Sequence, residues 1–388
     1  MTVPRGRAKT ARRGLDDGMG KMVTGGLRFH GSWSTAHGQT DRSAIEMAAI
    51  AKQWEDDGFD YVPYGDTLFR DCYVCLGAMA AATATVGIGP YVTNPSTRSA
   101  VVTAQAIASV DEISGGRAWL GIGLGNSANA INGMAMATPD DLRRALVVFN
   151  SVLRRAREYE EWPGLEIDES VVELEWVKRR VPVLIAARAM KGQRIAAEMA
   201  DGLMLRAGDV PHERLHEVME RVLRWREEGP LAGEPFEVQI LDSTFVGDPE
   251  RARRYLGSTV ATRGGAMNTK EKDLPDDLRA RIVGYQRRYN YGLHGSSLNR
   301  ANIELIDELG LDEYFYGRFM FVGDDDALIA RWEEMEAMGI TAVHAPEPAK
   351  DGLRVVAKYR EKHPMDPDAA PSPLRPKPQG ALTGADAW

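Results

Sequence analysis

The stretch from Val86 to Asn126, VGIGPYVTNPSTRSAVVTAQAIASVDEISGGRAWLGIGLGN, contains a complete strand–helix–strand unit. Val86 to Val92 is apolar and rich in glycine and β-branched residues, which is typical of a buried strand. Ala100 to Ile113 has apolar residues at three- and four-residue steps and predicts an amphipathic helix. Ala118 to Ile122 predicts a second buried strand. Two buried strands joined by a helix form a parallel βαβ crossover, so the sequence indicates an α/β fold.

Strand starts recur along the chain at the pitch of repeated βα units. The first four are predicted near residues 27, 59, 86 and 118, and four more near 181, 202, 236 and 340. Eight such units predict a single (β/α)8 TIM barrel, in which the last strand pairs with the first. Residues 263–318 are too long for a simple loop and contain helical patterns, so we expect a helical insertion between strands 7 and 8.

The two ends of the chain differ in composition from the barrel, which we assign to residues 21–362. Residues 1–20 are basic with few large apolar side chains, and residues 363–388 are rich in proline. Neither segment can bury enough apolar surface to offset the entropy of ordering. We therefore expect a flexible N-terminal arm and a disordered or extended C-terminal tail.

Composition and charge argue against several classes of partner. The 388 residues are 44% hydrophobic and carry 48 Lys and Arg against 56 Asp and Glu, a net charge of −8. Without a basic block in the folded part, nucleic acid and anionic membrane surfaces are poor partners, and a small molecule is expected. No apolar run reaches membrane-spanning length and no secretory apolar segment follows the basic start, so we expect a cytoplasmic protein. We also expect a homodimer or higher homo-oligomer.

No metal site is expected. Cys72 and Cys75 form a CxxC inside the predicted second helix, Asp71 to Thr83, without a second cysteine pair to complete a zinc site. We interpret them as packing residues rather than a redox pair. His212 and His216 are four residues apart, but they lack a third ligand.

Polar and backbone-flexible residues follow the predicted strands. Thr93 and Asn94 come after the third strand, and Gly125 and Asn126 after the fourth. Because the carboxyl ends of parallel strands share one rim, we expect the site to be at that rim.

The turn after the fifth strand predicts a phosphate site. It consists of Ala187, Arg188, Ala189, Met190 and Lys191 at the start of a helix, with Arg206 after the sixth strand facing the same point. Small residues at a helix N-terminus leave backbone N–H groups open to an anion, and neighbouring basic side chains complete the site. A turn with solvated basic residues is the alternative.

The motif VTNP followed by TRS, and then AQAIASVDEISGGRAWLGIG, resembles the third and fourth βα units of the bacterial luciferase-like superfamily. Within it, the chain is most similar to the coenzyme F420-dependent methylenetetrahydromethanopterin reductases. Residues 181–205, VPVLIAARAMKGQRIAAEMADGLML, resemble the fifth and sixth strands of the same fold. The resemblance implies an oxidoreductase that transfers a hydride between the deazaflavin F420 and a C=N, C=C or C=O group. An FMN-dependent monooxygenase and a non-catalytic ligand-binding barrel are the alternatives.

The resemblance also implies where the cofactor lies. In the relatives, the third strand ends in a bulge, often with a non-prolyl cis peptide, that backs the cofactor ring. The matching segment here is Gly89 to Val92, so the ring is expected against Tyr91, Val92 and Thr93, with Asn94 and Gly125 beside it. The phosphate is expected on Ala187 to Lys191.

Two ionisable positions of the family are replaced in this chain. The Asp-His pair after the second strand reads Asp66 and Thr67, and Asn126 stands where some relatives carry a catalytic glutamate. A threonine hydroxyl donates a hydrogen bond but does not titrate near neutral pH. The proton source is then His30, at the end of the first strand, Asp66 or water; we favour His30, with a packed histidine as the alternative. Substrate is expected among Trp33, Thr67, Asn126, Tyr289, His294 and His344.

Overall fold

The computed structural model of the chain describes residues 26–31, 42–67, 70–153, 174, 176–177, 179–206, 208–294 and 299–365. The predicted basic arm, the residues of the predicted tail beyond 365, and Trp33 lie outside this range.

The barrel predicted from the sequence is confirmed. The strands are β1 Arg28–His30, β2 Tyr61–Tyr64, β3 Gly87–Pro90, β4 Leu120–Ile122, β5 Val183–Ala186, β6 Gly202–Arg206, β7 Glu237–Leu241, β8 Thr244–Val246, β9 Phe321–Gly323 and β10 Ala342–His344. Of these, β8 and β9 lie outside the barrel. The other eight pair in parallel in the order β3-β2-β1-β10-β7-β6-β5-β4. The last strand pairs with the first, with His30 opposite His344.

The β3–β4 seam closes the barrel through single bridges. Ile88 pairs with Ala118, and Thr93 pairs with Ile122. Trp119, between these bridges, is fully buried inside the barrel with Tyr61, Leu184, Met204 and Ala342. A Cβ on Gly89 would lie 2.4 Å from the Trp119 ring. The glycine therefore makes room for the indole, which supports the end of β3 from below.

Thirteen α-helices occur in the described part of the chain. They are α1 Ala44–Asp56, α2 Cys72–Ala82, α3 Ala100–Ser114, α4 Asn126–Ile131, α5 Pro139–Val152, α6 Met190–Met199, α7 Leu215–Glu228, α8 Pro249–Gly265, α9 Asp276–Arg288, α10 Arg300–Glu308, α11 Asp312–Phe319, α12 Asp325–Ala337 and α13 Ala349–Lys362. The predicted capping box of α1 is present, since Ser43 and Glu46 bond each other's backbone N–H. The short α4 was not predicted.

The prediction of one continuous seventh strand over residues 236–246 is wrong. The chain turns at Asp242, whose N–H bonds Ile240 O at 2.9 Å, and Arg331 on α12 binds the Asp242 carboxylate. The second half, β8, leaves the barrel and pairs in parallel with β9. The break in a strand that is continuous by residue pattern thus coincides with a tertiary ion pair and with the pairing of β8 to β9.

The inserted helices form a small core of their own. Phe315, Tyr285 and Leu305 are buried in it, with Val260 and Ala261 contributed by α8. Because α8 packs on α9, α10 and α11, the structure begins the inserted region at residue 249, before the predicted position 263.

The CxxC cysteines are both buried in α2, as expected for packing residues. No group of three or more His, Cys, Asp or Glu side chains among the described residues could hold a metal ion. In the same residues, no helix has the length and apolar character needed to cross a membrane.

Candidate active site

A cavity of about 600 Å³ lies at the carboxyl ends of the barrel strands. One wall of the cavity is apolar and is formed by Met136, which precedes α5, and Leu142, which lies in α5. Another wall is formed by Thr259, Thr262 and Arg263 of α8. This volume is typical of a site for a small molecule or cofactor. The prediction that the site lies at the strand-end rim agrees with the position of this cavity.

The cavity floor at the end of β3 contains a non-prolyl cis peptide between Tyr91 and Val92, both of which line the cavity. Two hydrogen bonds join Thr93 to the fourth strand. The Thr93 N–H donates to Gly121 O at 3.0 Å, and the Thr93 carbonyl accepts from the Gly123 N–H at 2.9 Å. A Cβ on Gly123 would lie 3.2 Å from Val92 Cγ2, so glycine at this position leaves the backbone surface beside Val92 uncovered. The non-prolyl cis peptide that the resemblance implies at the end of the third strand is therefore present.

The N-terminus of α6, where the phosphate was predicted, lies at the cavity wall. The N-cap residue, Ala189, makes no side-chain capping bond, so the first-turn N–H groups are left for another acceptor. A Cβ on Gly192 would lie 2.7 Å from the Ala187 Cβ, which shows how tightly the turn is packed. Arg188 and Lys191 line the cavity, and Arg188 Nη1 is buried without a hydrogen-bond partner among the described residues. The turn fits a phosphate.

Arg206 and Met190, both predicted in the phosphate site, differ in part from the roles predicted for them. Arg206 lines the cavity but binds Asp209 through Nε and Nη2, at 3.1 and 2.9 Å. The Met190 side chain is 61% exposed and is not part of the cavity wall. Because Met190 is the first residue of α6, only its backbone is positioned to meet an anion.

Asp66 joins the end of the second strand to the loop that follows the third. Its Oδ2 accepts hydrogen bonds from Thr93 Oγ1 at 2.8 Å and from Arg98 Nη1 at 2.7 Å. Arg98 also donates to Asp71, whose carboxylate caps α2. Asp66 reaches the cavity surface, and its contacts hold the loop beside the cis peptide in place.

Thr67 and Asn126, at the two replaced family positions, both line the cavity. Thr67 Oγ1 is buried and has no hydrogen-bond partner within the described residues. Gly125, the N-cap residue of α4, has φ +73°, and a Cβ there would lie 2.6 Å from the Asn94 Cβ. The Asn94 side chain accepts bonds from the next turn's N–H groups and lies behind the cavity wall, so it supports the loop instead of facing a ligand.

The structure contradicts the prediction that His30 faces the rim and titrates near neutral pH. The ring is fully buried inside the barrel, 5.5 Å from the Tyr91 ring and 5.3 Å from the His344 ring between centroids. Burial lowers the pKa of His30 well below its ordinary value, and His344 adds to the effect. The side chain of a strand-end residue can point inward, and here it does.

His344 does line the cavity, as predicted. Burial, and then repulsion from Arg263, lower its pKa to about 3. The imidazole is therefore neutral at ordinary pH and can donate or accept a hydrogen bond, but it cannot serve as a cationic acid.

The inserted region contributes one of its two predicted residues to the cavity. His294 lines the wall, and burial with repulsion from Arg206 lowers its pKa to about 4. The Tyr289 hydroxyl lies 3.0 Å from His294 Nδ1, and Tyr289 itself is packed in the insertion core. Tyr289 thus holds His294 in place and does not line the cavity.

Sequence reasoning missed the cavity residues from α8 and the buried Glu347 after the eighth barrel strand. A signal existed for α8, because Leu256, Thr259, Arg263 and Ala266 recur at helical spacing on one face. No comparable pattern marks Glu347, whose backbone is bonded to β8.

Comparison with known proteins identifies a family. The sequence model of the family described as luciferase-like monooxygenase matches residues 27–342. A 5,10-methylenetetrahydromethanopterin reductase of Archaeoglobus fulgidus is 27% identical over 334 residues, which cover 82% of this chain and 95% of the relative.

Solved structures show the same fold. A coenzyme F420-dependent tetrahydromethanopterin reductase from Methanopyrus kandleri superposes with a TM-score of 0.59 at 19% identity, covering 87% of this chain and 98% of that one. A monooxygenase from Streptomyces bottropensis superposes with a TM-score of 0.56 at 16% identity, covering 87% of this chain and 98% of its own.

Proposed function

Because the chain belongs to the luciferase-like monooxygenase family, we propose that it is an F420-dependent oxidoreductase. It transfers a hydride between the deazaflavin and a C=N, C=C or C=O group of a small organic molecule. The Archaeoglobus fulgidus relative, which aligns with 82% of this chain, is named as a reductase, and this name supports reduction over oxygenation.

One observation carries this proposal: a flat backbone floor and an open helix N-terminus lie in the same cavity. The floor is the Tyr91–Val92 peptide with Gly123 beside it, and the anion site is the start of α6. A ring cofactor with a phosphate requires both features at once.

The residues present fit such a cofactor. Tyr91, Val92 and Gly123 would carry the ring, while Arg188 and Lys191 with the first turn of α6 would hold the phosphate. When bound, F420 supplies the hydride-accepting or hydride-donating carbon of its ring. The buried Arg188 Nη1 and the close packing at Gly192 are the structural evidence for the anion end.

The chain's own residues position the substrate and limit access of water. Met136 and Leu142 offer an apolar surface to the substrate's carbon skeleton. Thr67 and Asn126 can hydrogen-bond a substrate oxygen or nitrogen but do not titrate near neutral pH. His30 is buried inside the barrel and does not line the cavity, so the proton that accompanies hydride transfer comes from another group at the cavity surface or from water there.

An FMN-dependent monooxygenase is the second candidate. The phosphate of FMN would occupy the same turn, and a monooxygenase shares the fold with a TM-score of 0.56. A barrel that binds a ligand without catalysis is the third, since both family acids are replaced.

Cofactor titration decides between these functions. Apoprotein is titrated with F420 and with FMN in separate experiments, and binding is followed by fluorescence and calorimetry. Saturable binding of F420 with weak or absent binding of FMN is expected. Saturable FMN binding without F420 binding would overturn the proposal.

Turnover is tested with reduced F420 and a panel of imines, enones and ketones. Oxidation of the cofactor that depends on one of these acceptors is expected. Normal F420 binding combined with inactivity across the panel would favour the non-catalytic barrel.

A further inference from the structure

His344 lies in the cavity wall, close to the floor against which the cofactor ring would rest. It is the last residue of β10 and lines the cavity. Its ring centroid is 5.4 Å from that of Tyr91, the floor residue that follows β3. A substrate carbon that exchanges a hydride with a ring on this floor has to lie in contact with the ring. The oxygen or nitrogen bonded to that carbon is then close to the His344 imidazole.

The His344 imidazole has hydrogen-bonding capacity that the described residues leave unused. Its Nε2 is buried and has no hydrogen-bond partner among them. Native proteins pair most buried polar atoms, and an unpaired one in a cavity wall points to a ligand as its partner. A neutral imidazole carries one N–H donor, so a ligand with an acceptor atom completes the pairing.

The groups that face His344 keep its imidazole neutral. Burial has the largest effect, repulsion from Arg263 of α8 adds to it, and Asp242 after β7 acts in the opposite direction, with a resulting pKa of about 3. His30 of β1, its partner in register, has its ring 5.3 Å away. The buried Glu347 lines the same cavity, so charges of both signs surround the ring. Above about pH 4 the imidazole therefore donates a hydrogen bond without carrying a charge.

We propose that His344 donates a hydrogen bond to the carbonyl oxygen of the substrate, and that the substrate is a ketone, an aldehyde or an enone. The inference rests on the proposed hydride transfer and names the class of substrate within it. Among the C=N, C=C and C=O groups of the proposed function, it selects those in which an oxygen receives the electron pair.

Reduction of a carbonyl compound places new negative charge on its oxygen. The hydride forms a C–H bond at the carbonyl carbon, or at the β carbon of an enone, and the π electrons move to the oxygen. One proton from water or from another group at the cavity surface then completes the product. A neutral donor held at the oxygen stabilises the developing charge. An iminium carbon starts cationic and becomes neutral when it accepts a hydride, so the same donor has no negative charge to stabilise.

Acetophenone and α-methylstyrene test this donor, because they differ only in the carbonyl oxygen that replaces a CH2 group. Neither accepts a hydride from protein that is cofactor-free or carries oxidised F420, so their dissociation constants report contacts alone. Calorimetry is run on both forms of the wild type, His344→Phe and His344→Gln. His344→Phe should weaken acetophenone binding by about 3- to 10-fold, as expected for one hydrogen bond, and change α-methylstyrene binding by less than about twofold. His344→Gln keeps a donor and should recover part of the loss.

Magnetic resonance of isotope-labelled histidine gives a second readout that needs no activity. The His344 signal, identified by its loss in His344→Gln, should be that of a neutral imidazole from about pH 5 to about pH 9. It should shift when acetophenone is added and stay in place with α-methylstyrene. This measurement tests the proposal even if His344→Phe fails to fold.

His216→Phe is the matched control, because His216 is exposed on α7 and lies outside the cavity. The substitution is the same as at His344, but no ligand contact is removed. Both dissociation constants should equal those of the wild type.

Three results would overturn the assignment. The first is a His344→Phe protein that binds the two probes with the same ratio of affinities as the wild type. The second is a wild type that binds neither probe up to its solubility limit. The third is a His344 signal that titrates near neutral pH or does not respond to acetophenone. Failure of the proposed function is seen separately, as absence of F420 binding while acetophenone still shifts the His344 signal of the apoprotein.

Discussion

Replacing Arg98 by methionine should release the clamp on the loop that carries the cis peptide. Arg98 Nη1 bonds Asp66 Oδ2 at 2.7 Å, and the Asp66 side chain is only 11% exposed. Breaking one partner of a largely desolvated charged pair costs about 2–3 kcal/mol. The second Arg98 contact, to the half-exposed Asp71, adds less than about 1 kcal/mol. We expect the free energy of unfolding to fall by about 3 kcal/mol.

A double-mutant cycle isolates the Arg98–Asp66 contact from the other effects. Urea unfolding is followed by circular dichroism for the wild type, Arg98→Met, Asp66→Asn and the double variant. The expected coupling energy is about 1–2 kcal/mol, because the side chains touch directly. Arg144→Met, which removes a surface pair with Asp141, should cost at most about 0.5 kcal/mol.

The same variants should weaken cofactor binding, since Thr93 adjoins Val92 of the cavity floor and bonds Asp66 at 2.8 Å. We expect the F420 dissociation constant of Arg98→Met to rise about tenfold, equivalent to about 1.4 kcal/mol. A coupling energy no larger than about 0.5 kcal/mol, the most that Arg144→Met is expected to cost, would refute the clamp. Unchanged F420 affinity in a destabilised variant would show that the clamp does not position the floor.

Two further predictions concern the phosphate turn and the buried histidines. Gly192→Ala should weaken F420 binding by tenfold or more in calorimetry, because its Cβ would lie 2.7 Å from the Ala187 Cβ, whereas Gly284→Ala, with open space around it, should leave affinity unchanged. His294 and His344 have folded-state pKa values of about 4 and about 3, so the unfolded chain binds more protons and stability falls as pH drops below about 6.5. Each contributes up to about 1.4 kcal/mol per pH unit, and His294→Gln should reduce the measured slope by that amount; an identical slope would contradict the assignment.

The sequence by itself determined the barrel, because hydrophobic periodicity and turn chemistry are local. Val86 to Val92 and Ala118 to Ile122 read as buried strands, and β3 and β4 lie within them. The open helix N-terminus after β5 could also be located, since a helix start with small residues is a feature of one short segment. Recognition of the VTNP and TRS motif supplied the cis peptide, which no residue pattern predicts.

The tertiary structure alone decided which side chains face the cavity. His30 was expected at the rim, but its ring turns into the barrel, where burial holds it neutral. That Arg98, 32 residues further along, binds Asp66 could be seen only in the folded chain. Arg263 enters the cavity only because the inserted helices pack α8 against the end of the seventh strand. Charge, burial and pKa depend on neighbours that are distant in sequence, and those neighbours are set by packing rather than by local pattern.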